Sequence, residues 1–177
     1  FGLPETVDVT IDDARHHIKS LSNKKYDAII FDTFKGEETP SHIITQESLE
    51  EVKKILNPDG FLLINSFNFI EGKKGLALRS IYQTLKKSGF NTSIWPTDES
   101  VNDRNLLFVS SFIDHPVYSN YFDIDKINID KIDFSDAQIL KDEYPSFEVL
   151  NGQAALEWRR WAIRACARDP YEYEVLF

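Results

Sequence analysis

Apolar and polar positions along the first two-thirds of the chain change period in a strand-then-helix order. Val7-Asp8-Val9-Thr10-Ile11 sets β-branched residues at every second position, the period of a strand. Asp12-Asp13-Ala14 then opens a segment, Arg15 to Leu21, that reads as a short helix. Tyr26 to Asp32 is a largely apolar run closed by a carboxylate, the pattern of a central parallel strand covered on both faces. Thr45-Gln46-Glu47-Ser48 signals a helix start, with Leu49, Val52, Lys53 and Leu56 spaced for one face and Asn57-Pro58-Asp59-Gly60 as the stop. A strand is predicted at Phe61 to Phe67, a helix at Leu76 to Ser88 ending at Gly89, and two further strands at Asn91 to Trp95 and Leu106 to Phe112. Strands and helices alternating through short connections imply right-handed crossovers. The fold class is therefore α/β, a doubly wound and mostly parallel sheet with helices on both faces and an antiparallel pair at its end.

Past Phe112 the pattern changes. Asp123 to Asp136 interleaves acids and lysines with isoleucines at mixed spacing, which predicts an irregular wrap or a small hairpin. A C-terminal helix is expected from Asn151 as its cap, with Ala155, Trp158, Ala162 and Ala165 on one face, its tryptophans mostly in the core, and Asp169-Pro170 as its stop. Residues 1–112 then form the sheet domain, and 113–177 an extension packed on the same core. The closing Tyr171 to Phe177 alternates like an edge strand and offers a route to a homodimer.

The chain has 177 residues, 42% of them hydrophobic, enough for one sizeable core. Its formal charge of -9 argues against nucleic acid as a partner, because phosphate neutralisation needs a basic surface. No run approaches the roughly 18 apolar residues of a spanning helix, so a soluble segment without membrane contact is expected. The single cysteine, Cys166, excludes an internal disulfide and reads as a small buried helix residue. Neither the four histidines nor the carboxylates show a metal-ligand spacing, and no metal is expected.

Ligands of open parallel sheets sit at the carboxyl ends of the strands, where Asp13 and Asp32 both fall. The adjacent His16 and His17 point about 100° apart on a helix and are expected to serve surface and packing roles. His42 lies in the loop after the Asp32 strand, suited either to fixing that loop or to touching substrate. Arg159, Arg160, Arg164 and Arg168 load the last helix with charge that suits surface ion pairs. Trp158 and Trp161 can share a face, giving either an anchor to the sheet or a subunit contact.

Four stretches in order resemble the spermidine synthase-like (aminopropyltransferase) branch of the Rossmann-like class I S-adenosylmethionine-dependent methyltransferase fold. They are Asp12-Asp13-Ala14-Arg15, Tyr26 to Phe34, Pro40 to Glu47, and Leu56 to Asn65. The match is to a bacterial subgroup often fused to a membrane region, and Ile139 to Pro145 resembles a late segment of that subgroup. Phe1-Gly2-Leu3 resembles the stretch after the fold's second helix. The chain is thus expected to start in mid-domain, without the glycine-rich cofactor loop, and to bind S-adenosyl ligands poorly and be inactive by itself.

The resemblance implies that Asp13 and the Ala14 amide contact the adenine of the cofactor, S-adenosylmethionine or its decarboxylated form in the intact parent. It implies that Asp32 is the catalytic base for an amine or other small acceptor, with Thr33, Lys35, His42 and Asn65 on the substrate side. A cytoplasmic protein, or the cytoplasmic domain of a membrane-attached parent, is expected. Three departures stand out: Lys35 occupies the place of a second acidic residue, Asn65 that of a glutamine, and a tyrosine of the family has no counterpart in the region of Pro96 to Asp98. A cation at position 35 would repel a polyamine, so the acceptor stays open, and Lys35, Glu37 and Glu38 suit either a mobile gate loop or solvated charge. Three functions remain in view: a spermidine synthase-like transferase, a methyltransferase of the same fold, and a noncatalytic assembly or regulatory domain.

Overall fold

A computed structural model describes residues 2, 4–21, 24–36, 38–67, 69–100, 104–113, 125–144 and 147–166. Four helices and four strands organise them: α1 (Ala14–Ser20), β1 (Tyr26–Phe31), α2 (Gln46–Ile55), β2 (Leu56–Phe67), α3 (Leu76–Lys87), β3 (Asn91–Pro96), β4 (Asn105–Ser111) and α4 (Phe147–Cys166). The strand order is β1-β2-β4-β3. β1 and β2 are parallel, joined by the crossover through α2, whereas β4 inserts between β2 and β3 and runs antiparallel to both. The antiparallel end of the sheet therefore takes in two pairings rather than one.

Local chemistry sets the element boundaries. Thr45 caps α2 by accepting the Ser48 amide at 3.2 Å, and Leu49, Val52 and Ile55 turn inward from that start. The Leu56 amide still bonds the Val52 carbonyl while Leu56 begins β2, so helix and strand abut without a loop. Gly60 permits the close approach of β1 and β2 where their register shifts between Tyr26 and Ala28. A methyl there would lie 2.9 Å from the Asp27 carbonyl oxygen and 3.0 Å from that of Tyr26. At the end of α3, Gly89 takes φ 86°, the left-handed turn that stops the helix.

The sheet has two unlike faces. Leu62 and Ile64 of β2, Leu106 and Phe108 of β4 and Ile94 of β3 are buried with Leu49, Val52 and Ile55 of α2 and Leu78, Ile81 and Leu85 of α3. On the other face Leu63, Asn65, Phe67, Leu107 and Val109 are only partly buried, and Ile30 of β1 is exposed. Leu140 and Phe147 belong to the same buried cluster as the sheet.

Three local expectations are corrected. Residues Val7 to Ile11 lie exposed, outside any strand of the described residues, because alternation stabilises a strand only where a neighbour supplies the ladder. Asn151 is not a cap: α4 begins at Phe147, and Asn151 lies buried inside it. Its side-chain amide is an interior hydrogen-bonding group that donates to Glu38. Trp158 packs edge-on to Phe67 with centroids 6.1 Å apart, but Trp161 is 49% exposed rather than core. Within residues 125–136 the chain makes one 3-10 turn, Ile129–Lys131. The Tyr171 to Phe177 strand, the stop at Asp169-Pro170 and the side chain of Cys166 lie outside the described residues.

Residues distant in sequence are tied by two buried arginines. Arg15 donates to Glu51 through Nε and Nη2 at 2.9 and 3.0 Å, and to Asp142 through Nη1 and Nη2 at 2.6 and 2.8 Å. Its Nη1 also reaches the His42 carbonyl oxygen at 3.1 Å. Asp142 in turn accepts from the Thr45 hydroxyl at 2.7 Å, so one guanidinium fastens the segment before Tyr144 to both α1 and α2. Arg79 does the same for Asp136, at 3.0 and 2.6 Å, while donating to the carbonyls of Ile70 and Gly72.

The Arg15 guanidinium holds the Glu51 and Asp142 carboxyls below their ordinary values, chiefly through hydrogen bonds and against the opposing effect of burial. Depressed native values mean that this stabilisation is whole above the ordinary values of 4.5 and 3.8 and is lost as pH falls through the native ones. Replacing Arg15 by Leu leaves two carboxylates unpaired and is expected to cost about 3 kcal/mol, the low end for a buried pair because Asp142 is 41% exposed. Urea denaturation at pH 7 measures it. The same variant should lose less of its remaining stability than the parent between pH 5 and pH 3, roughly the window in which these carboxyls protonate.

Candidate functional site at the carboxyl ends of the parallel strands

The parallel register pairs Phe31 with Ile64, which brings the next residues, Asp32 and Asn65, level at the carboxyl ends of β1 and β2. The Asn65 amide donates to Asp32 Oδ1 at 2.8 Å. That bond fixes one carboxylate oxygen and, with it, the orientation of both side chains. Two polar atoms of this group are buried without a hydrogen-bond partner, Asn65 Oδ1 and Thr33 Oγ1. Buried acceptors left unpaired are costly, and they are found where a ligand or water completes them. Beside them the Thr39 and Ser66 hydroxyls pair at 3.2 Å, which anchors the loop after β1 to the end of β2.

That loop is built as a tight turn. Lys35 and Glu38 bridge backbone to backbone, with the Lys35 amide 2.7 Å from the Glu38 oxygen, and Gly36 supplies the positive φ of 66° that the reversal requires. Lys35 is exposed at the turn. Glu38 is partly buried and accepts from the Asn151 amide at 3.5 Å, which links the loop to α4.

Asp13 and His42 form a second group. Asp13 caps α1, accepting the His16 amide through Oδ1 at 3.0 Å, and its Oδ2 lies 2.7 Å from His42 Nε2. The His16 amide and then the His42 ring hold the Asp13 carboxyl below its ordinary value. Both oxygens of Asp13 are therefore engaged within the chain. Ala14 is the first residue of α1, and Arg15 behind it grips the His42 carbonyl, so the backbone under the Asp13 and His42 pair is clamped from inside. His16 leans on Asp12 at 2.6 Å, and His17 is partly buried on α1. No hydrogen bond among the described residues joins the Asp13 pair to the Asp32 pair.

The sequence-predicted residues thus fall into two clusters: Asp32, Thr33 and Asn65 in one, Asp13, Ala14 and His42 in the other, with Lys35 on the rim. Missed by sequence reasoning were Arg15, Glu51 and Thr45 as the clamp, and Ser66, Thr39 and Asn151 as supports of the loop. The only signal for the clamp was the charged Lys141-Asp142-Glu143 run late in the chain. Among the described residues no group of three or more His, Cys, Asp or Glu side chains is gathered to hold a metal ion. No described helix is long and apolar enough to cross a membrane.

Comparison with known proteins gives the family and the fold. Residues 4–96 match the family profile described as "Spermine/spermidine synthase domain". Over 58 residues the chain is 45% identical to a polyamine aminopropyltransferase of Vibrio vulnificus (strain CMCP6), a match covering 32% of this chain and 19% of that protein. The chain therefore spans only a small part of the length of that curated relative. Among solved structures, human methyltransferase-like protein 13 in complex with SAH superposes with a TM-score of 0.52 at 24% identity, over 67% of this chain and 54% of that one. That likeness establishes the methyltransferase-type α/β fold.

Replacing His42 by Ala should raise the apparent pKa of Asp13 only part of the way to the ordinary value, because the larger contribution, the His16 amide, stays in place. Carboxyl carbon shifts followed by NMR across acidic pH check this. No movement of the Asp13 titration would show that the His42 contact is absent in solution.

Proposed function

Because this chain belongs to the spermine/spermidine synthase family, we propose that the Asp32, Thr33 and Asn65 group is the acceptor side of a transfer from an S-adenosyl ligand to an amine. The reading rests on one observation: a carboxylate fixed by Asn65 at the strand tip stands beside two buried polar atoms that lack partners, Asn65 Oδ1 and Thr33 Oγ1. A primary amine brings N–H donors to just such a set, and its nitrogen can lose a proton to the free oxygen of Asp32. In the transfer a nitrogen–carbon bond forms as the carbon–sulfur bond of the sulfonium breaks. The electron pair of that bond goes to sulfur, which leaves neutral, and the amine proton goes to Asp32. Since the leaving group carries its own activation, alignment and deprotonation of the nucleophile are the protein's main tasks.

On this reading Asp13 and the Ala14 amide face the adenine of the cofactor, S-adenosylmethionine or its decarboxylated form, and His42 yields one oxygen of Asp13 when adenine arrives. His42 and Lys35 lie on the approach of the acceptor. Exposed Lys35 on the turn disfavours a second ammonium there, which favours an acceptor with a single amine over a diamine. The same observation keeps a methyltransferase as the second reading. It differs in the group transferred and not in the residues that hold the acceptor.

Transfer assays on the intact parent that the resemblance implies, offering the two cofactor forms separately and read as the mass gained by the amine, distinguish aminopropylation from methylation. Under either reading Asp32→Asn, made in the intact parent that the resemblance implies, should lower turnover at least about a hundredfold with its fold intact, since the amide keeps the shape but takes no proton. Undiminished turnover of that variant would refute the role of Asp32. Absence of transfer from both cofactors would favour the noncatalytic alternative.

A further inference from the structure

Among the described residues three arginines are buried, Arg15, Arg79 and Arg104, and the first two are paired in the same way. Arg15 turns the edge formed by its Nε and Nη2 onto the Glu51 carboxylate at 2.9 and 3.0 Å, and Arg79 turns that edge onto Asp136 at 3.0 and 2.6 Å. Such an edge presents two parallel N–H groups at the spacing of a carboxylate's oxygens. In Arg104, which is 6% exposed, the same two nitrogens are buried with no hydrogen-bond partner among the described residues. One acid approaches them: Glu71 sets a single oxygen 3.5 Å from Nη2, beyond hydrogen-bond length, from a side chain that is 53% exposed. A buried guanidinium without its carboxylate is costly, and such groups are completed by a ligand, an ion or water.

The surroundings leave room for a ligand. Glu71 also lines a cavity of about 390 Å³, together with Lys73, Arg79, Lys131, Asp133 and Asp136, and that volume is within the range of small-molecule sites. Arg79 and Asp136 neutralise each other there. Lys73 and Lys131 favour an anion, while Glu71 and Asp133 favour one of low charge. Arg104 directly precedes β4 and by alternation shares a face with the buried Leu106 and Phe108, whereas Asn65 of β2 lies on the other face of the sheet. The Arg104 region is therefore separate from the Asp32 group.

We propose that Arg104 receives the carboxylate of a small organic acid that occupies this cavity, with Glu71 as a movable stand-in. When the acid arrives, Glu71 turns out to solvent and the two oxygens of the ligand take the Nε and Nη2 edge side-on. A carboxylate suits the place better than a phosphate. The partners of Arg15 and Arg79 on the same edge are carboxylates, and a dianion would meet Glu71, Asp133 and Asp136. Binding here does not depend on the role of Asp32.

The Nε–H signal of Arg104, assigned through bonds to its own backbone, reports binding by NMR. Sodium acetate, added at constant ionic strength, should move that signal downfield and saturate it with a dissociation constant of about 1 to 10 mM. Glu71→Gln should tighten acetate binding about threefold or more, because the competing charge is gone. Arg104→Lys should weaken it more than about tenfold, seen as loss of the acetate-induced rise in melting temperature. Inorganic phosphate should bind more weakly than acetate. If circular dichroism shows that Arg104→Lys does not fold, the Glu71→Gln comparison still decides. An Arg104 signal that stays fixed in acetate overturns the proposal, as does Glu71→Gln binding no tighter than the parent chain. An undiminished melting response in Arg104→Lys also overturns it, and tighter binding of phosphate overturns the assignment to a carboxylate.

Discussion

The parallel pairing of β1 with β2 is the constraint on which the site depends. One step of register beyond Phe31 and Ile64 brings a carboxylate and an amide level at the end of the sheet, close enough for a 2.8 Å bond. A slip by one residue would send Asp32 and Asn65 to opposite faces, since side chains alternate along a strand. Two features hold the register. Gly60 lets the strands close at their start, and the filled face of Leu62 and Ile64 admits no exchange of inward and outward residues. The chemistry at the strand tips is thus a by-product of packing several residues away.

A second constraint keeps the surrounding loops in place. Arg15 spends its guanidinium on Glu51, Asp142 and the His42 carbonyl, and so joins the start of α1, the middle of α2, the loop before α2 and a segment more than a hundred positions later in the chain. Asn151 of α4 reaches Glu38, and the Thr39 hydroxyl reaches Ser66. The site is therefore formed by short strand tips and held by long-range polar contacts. Such contacts are strong when complete and expensive when one member is lost.

This division explains what could be read from the sequence. Helices were legible where a local signal was unambiguous, as at Thr45 before α2 or Gly89 after α3, and the Asp32 strand was legible from its apolar run, although it stands at the edge of the described sheet with Ala28 and Ile30 exposed rather than at the centre covered on both faces. Asp32 and Asn65 were recognisable as strand-end residues, though nothing local says that one donates to the other. Contacts across great sequence distance leave no local trace, and Arg15 looks like any arginine on a short helix. Asn151 shows the converse: a good capping residue was read as a boundary when its partner, Glu38, lay over a hundred residues away. Val7 to Ile11 carries the alternation of a strand yet has no ladder among the described residues, because pairing is a property of neighbours rather than of the segment.

The central claim is that the strand-tip cluster is an acceptor site short of N–H donors. A crystal structure of the chain grown with a simple primary amine tests it most directly. The amine nitrogen is expected within hydrogen-bond distance of the free oxygen of Asp32, Asn65 Oδ1 and Thr33 Oγ1, with the Asn65 bond to Asp32 preserved. An amine bound elsewhere, with those two atoms satisfied by a shift of their own side chains, would contradict it.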